Sequence, residues 1–144
     1  MRLNDELDIA KLDGGIWWDY STKSTCPGNK PHESNGCFLV VPHVGSRFAV
    51  VKEEMLLPYE ALIRDGKMPE DRMRAVIAEC VSKTLLRGWA NWDNEDGTPM
   101  PWSEAKAAEI LADRRFLIYA NFIESAALST KAALAREEEQ AKGN

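Results

Sequence analysis

Cys26, His32, Cys37 and His43 are the side chains best placed for chemistry by type, because thiolate and imidazole make up the ligand set of a tetrahedral zinc site. Their spacing is Cys-x5-His-x4-Cys-x5-His, which contains no close Cys-x2-Cys knuckle to present two sulfurs from one tight turn. A polar loop with free thiols is therefore expected ahead of a zinc site or a loop disulfide.

The second cluster is acidic. Asp93, Glu95 and Glu104 fall at positions one, three and twelve of a hypothetical calcium loop. The sixth position of such a loop needs glycine for its sharp turn, yet Thr98 stands there, and Pro99 and Pro101 occupy the seventh and ninth. A solvated turn is the better reading. No Gly-x-Ser-x-Gly, His-Glu-x-x-His or phosphate-cradling glycine motif occurs, and the remaining carboxylates read as solvated faces. The expectation is a protein without catalysis, resident metal or cofactor.

What remains is apolar recognition. The chain has 144 residues and five tryptophans, Trp17, Trp18, Trp89, Trp92 and Trp102, more indole than so small a core readily buries. One or two should therefore border a surface groove, with Trp92 or Trp18 favoured as the exposed one. Trp89, Trp102, Met55 and Tyr59 complete the partner-binding candidates.

The formal net charge of -5, with no basic run longer than Arg114-Arg115, argues against nucleic acid as partner. A signal peptide and a membrane span are not expected, since the N-terminus lacks an apolar stretch and no apolar run approaches the roughly 20 residues a span needs. Cytoplasmic residence follows. Three cysteines do not build a disulfide framework, and Cys80 reads as a small core residue.

One domain is expected over residues 1–144, in three parts: a β-hairpin region (1–45), a helical region (46–135) and a solvated tail (136–144). Residues 1 to 13 lack a clean period and read as a short or frayed segment. Ile16 to Tyr20 and Cys37 to Val41 read as two strands of an antiparallel hairpin, joined by a long polar loop at 21–36. Arg47 to Val51 could be a third strand. The spacing of Phe48, Val51, Met55, Tyr59 and Leu62 favours a helix over 47–65 instead, capped by Ser46, broken by Pro58 and ended by Asp65-Gly66. The next helix starts with Pro69 at its first position, presents Met73, Val76, Ile77, Cys80, Val81 and Leu85 on one stripe, and closes with Gly88 as a left-handed terminator. Ser103 caps a helix over 104–112, with Trp102 placed to staple onto Ala107. Asp113 caps the last, which carries Phe116, Tyr119, Ile123 and Ala126 or Ala127 on one face. The class is α+β, a small N-terminal antiparallel hairpin followed by a cluster of about four helices.

Leu86-x-Gly88-Trp89, then Asp96-Gly97-x-Pro99, then Trp102-Ser103, then Leu111-x-Asp113-x-x-Phe116 form a pattern that resembles the tail assembly chaperones of long-tailed, siphovirus-type bacteriophages. The resemblance extends upstream through Pro58 and Tyr59, covering residues 46 to 124, and the 21–36 loop departs from it. It implies a non-catalytic factor of the bacterial host cytoplasm that binds the tape measure protein, assists tail tube assembly and is absent from the mature virion. The tail tube protein is a second implied partner, and self-association stays open. The alternatives are a minor structural protein of the tail or head-tail connector and, from another class, a metal-dependent enzyme using the Cys26 to His43 loop.

Overall fold

The computed structural model describes residues 14–44 and 46–129, so the N-terminal stretch and the tail read from the sequence lie outside the described residues. Four strands form one antiparallel sheet: β1 (Ile16–Asp19), β2 (Ser24–Thr25), β3 (Cys37–Val40) and β4 (Leu86–Ala90), in the order β2-β1-β3-β4. The helices are α1 (Phe48–Leu56), α2 (Glu60–Arg64), α3 (Glu70–Thr84), α4 (Glu104–Ala112) and α5 (Leu117–Leu128). The class is α+β, with β1 and β3 paired as the hairpin expected.

The sheet is larger than that hairpin. Part of the polar loop folds back as β2, and β4 arrives from inside the helical region. Helix α3 therefore ends at Thr84, and Gly88 is not its terminator but a strand residue opposite Leu39. Leu86 and Trp89 are three positions apart, a spacing that suits one helix face and would place them on opposite faces of an unbroken strand. A register shift resolves this: Leu86 opposes Val40 and Gly88 opposes Leu39, leaving Arg87 as an extra residue that turns both Leu86 and Trp89 toward the helices.

Period-two alternation then divides the sheet. Ile16, Trp18, Phe38, Val40 and Leu86 point to the helices and join one core with Val81, Leu85, Ala107, Leu111 and Ile123. The opposite face carries Trp17, Asp19, Cys37 and Leu39. The loop after β2 packs back along it, with the Asn29 side chain accepting from the Trp17 amide at 2.8 Å and donating to the Gly15 carbonyl at 3.2 Å.

Pro58 acts as its missing N–H requires. Helix α1 stops before it, a 3-10 turn spans Leu57–Tyr59, and α2 restarts and ends before Gly66 at φ +69. The strand alternative for Arg47 to Val51 is overturned by α1. Pro69 flanks α3 at ψ 134 and so precedes its first helical residue by one. Ser103 and Asp113 are caps, accepting from the Lys106 and Arg115 amides at 3.0 and 2.9 Å.

Candidate functional site: an aromatic groove with an acidic rim

The segment joining β4 to α4 is a small ordered ladder. Asn94 donates its amide to the Thr98 carbonyl at 2.7 Å, Met100 donates to the Trp92 carbonyl at 2.9 Å, and Asp93 bridges Pro99. Gly97 at φ +86 closes the turn. The Asp96 carboxylate accepts from the Thr98 hydroxyl and amide at 2.6 and 3.0 Å, and those bonds hold it below the usual carboxylate range.

Two indoles fasten this ladder to the core. Trp89 donates its Nε1–H to the Met100 carbonyl at 2.8 Å, and Trp102 meets its ring edge-on at 4.8 Å between centroids. Trp92 donates to the Cys37 carbonyl at 3.1 Å, stacks on Phe38 at 5.0 Å and 25°, and meets Tyr119 edge-on at 5.2 Å. Asn91, at φ +65, donates its side-chain amide to the carbonyls of His32 and Asn35, so the two long loops are tied together.

Between the ladder, α4 and the start of α5 lies a cavity of about 570 Å³. Phe38, Leu86, Trp89, Trp92, Leu111, Phe116 and Tyr119 line it from below. Asp93, Glu95, Asp96, Glu109 and Asp113 stand around it, and among the described residues Lys106 and Arg115 are the cations that line it. Arg115 joins Asp113 at 2.7 Å and reaches Glu95 at 3.9 Å, and Lys106 lies 3.7 Å from Glu109. Asp113 sits below the ordinary carboxylate range because the Arg115 guanidinium bonds to it.

The partner-binding candidates separate. Trp89 and Trp92 border the groove, half-buried, and Trp102 backs Trp89. Trp18 does not carry an exposed indole: at 8% exposure it is a core residue set edge-on to Phe122. Alternation on β1 explains this, since the position pairs with Phe38 on the helix-facing side. Met55 and Tyr59 lie away from the groove, the Tyr59 hydroxyl accepting from Arg72 at 3.2 Å. Sequence reasoning placed Phe116 and Tyr119 on a core stripe and missed that they also floor this site. Their proximity to the acidic ladder depends on β4, which carries no periodic signal of its own.

The metal candidates also separate. Cys26 and Cys37 bring their sulfurs to 3.7 Å, both buried, with the His32 amide on the Cys37 sulfur at 3.4 Å. The Nδ1 of His32 accepts from the amides of Ser34 and Asn35 and is occupied within its own turn. His43 lies past the end of β3, its ring set edge-on to Phe48 at 5.3 Å between centroids. Among the described residues no three His, Cys, Asp or Glu side chains are grouped to hold a metal ion. Burial and the neighbouring Cys37 thiol push the Cys26 thiol up to about 12.

The chain is a phage-derived protein. It belongs to the YdaY prophage protein family, whose family model matches residues 44–144, a span that includes β4, the acidic ladder and most of the groove. No curated protein and no solved structure matches it. No helix among the described residues is long and apolar enough to cross a membrane.

Proposed function

We propose that this prophage protein is a non-catalytic tail assembly chaperone that binds the tape measure protein of its own phage in the host cytoplasm. One observation supports the reading above others. Six of the residues that carry the resemblance to tail assembly chaperones meet in one place: Leu86, Trp89, Asp96, Leu111, Asp113 and Phe116 all border the aromatic groove. A groove with an apolar floor suits a client helix laid along it, with anchors three and four residues apart entering between the rings. The acidic balance of the chain would keep such a complex soluble while the tube polymerises.

Co-expression with the tape measure protein of the same prophage tests this. Co-purification of the two, weakened by Trp92→Ala, and absence of the chain from induced particles by mass spectrometry are the results expected. A fixed number of copies in purified particles would make it a minor structural protein of the tail or connector and sink the chaperone reading.

A further inference from the structure

The chemistry of the occupant is written on the groove, given the docking role proposed above. Its floor is aromatic, and aromatic faces carry negative potential that attracts cations. Five carboxylates around it face two cations, both of which already lie within 4 Å of one of those carboxylates. Among the described residues Asp93, exposed, has no cation partner, and Glu95, 91% exposed, has the 3.9 Å approach of Arg115 alone.

Arg115 is an internal example of what this surface accepts. Its guanidinium bonds to Asp113 through Nε and Nη2 and lies 5.1 Å from the centre of the Phe116 ring, on a carboxylate and an aromatic face at once. It also approaches Glu95 at 3.9 Å, so two of the residues that line the cavity meet there.

We propose that the groove takes a basic amphipathic helix of a protein partner, its apolar side on the indole floor and a Lys or Arg side chain between Trp92 and the Asp93–Glu95 rim. Phosphate-rich ligands are repelled by the same carboxylates. Arg115 competes with the incoming cation for Glu95, so the groove holds a basic helix more tightly without it.

The test titrates the full chain with amphipathic helical peptides of about 18 residues, one leucine face throughout and Lys, Gln or Glu on the polar face, read by peptide anisotropy. The Lys peptide is expected to bind at least about tenfold more tightly than the Gln peptide, and the Glu peptide not at all. The advantage should collapse in about 0.5 M salt. Asp93→Asn with Glu95→Gln should remove it with the fold intact, and Arg115→Ala should enlarge it. Equal binding of the Lys and Gln peptides would overturn the charge assignment and leave the docking role standing. Failure of every peptide while the tape measure protein still co-purifies would overturn this inference alone. Failure of both measurements would overturn the two together.

Discussion

Trp92 lays its indole directly against the backbone of Gly36, so closely that a methyl group at that glycine would sit 2.5 Å from Cζ2 of the ring. Phe38, Tyr20 and Tyr119 hold the ring from other sides, so it cannot simply slide away. Gly36→Ala should therefore cost about 1–3 kcal/mol as an overpacked contact, read as a lower urea midpoint with an unchanged slope. Because the same ring lines the groove, partner binding should weaken in parallel.

Asp19 is buried at 5% exposure and accepts from the Ser21 and Thr22 amides and from the Asn35 side chain. It joins the two ends of the 21–36 loop. Asp19→Ala leaves these donors without their acceptor and should lower stability by about 2 kcal/mol. Limited proteolysis should show new cleavage within the loop, while a variant such as Glu33→Ala on the exposed surface should cut like the parent.

The Cys26 thiol, raised by burial first and by Cys37 second, sets a pH dependence with a definite sign. In the unfolded chain a thiol releases its proton near about 8.5, whereas the folded one keeps it up to about 12. Between those values the unfolded state binds fewer protons, so stability is full below the lower value and falls as pH rises through the window. Urea unfolding at about pH 7, 9 and 10.5 should show a steeper alkaline loss for the parent than for Cys26→Ala. Labelling of the folded protein by iodoacetamide at neutral pH should leave Cys26 unmodified, since the thiolate is the nucleophile.

Trp89→Phe keeps an aromatic ring but loses part of the indole's apolar bulk together with the Nε1–H that the Met100 carbonyl accepts. The expected loss is about 1–3 kcal/mol, with faster amide exchange at Met100 and Asn94 as the ladder loosens. Exchange unchanged from the parent would show that Asn94, Thr98 and Trp92 hold the ladder without it.

Elements governed by local rules were readable in the sequence. Ser103, Asp113 and Pro58 act through their own backbone neighbours: α4 starts at Glu104 as expected and Pro58 breaks the helix before it, while Asp113 caps a 3-10 turn over Arg114–Phe116 and α5 itself begins only at Leu117. β4 was not readable, because Leu86 and Trp89 reach one face through an extra residue whose position depends on pairing with β3. The same non-local step hid the groove: Trp92 was a candidate on composition, but Phe116 and Tyr119 join it only once β4 has placed the acidic ladder beside α5. The choice between Trp92 and Trp18 as the groove-lining indole was hidden for a related reason, since strand register puts Trp18 on the buried side. Cys26 and Cys37 meet because β2 folds back along β1, and nothing in their spacing announced it.

The partner of β4 is β3, and β3 ends at Val40, ahead of the span shared with the prophage family. The seam between the family's portion and the preceding portion therefore runs along the hydrogen-bonded ladder between the edge strand β4 and the rest of the sheet, not through a tether. A protease nick near Ser46 would leave two fragments zipped edge to edge, travelling together through a sizing column and parting only in denaturant. Swapping the leading portion for another would amount to resewing a sheet, since β4 would have to find its hydrogen-bond partners on a new strand.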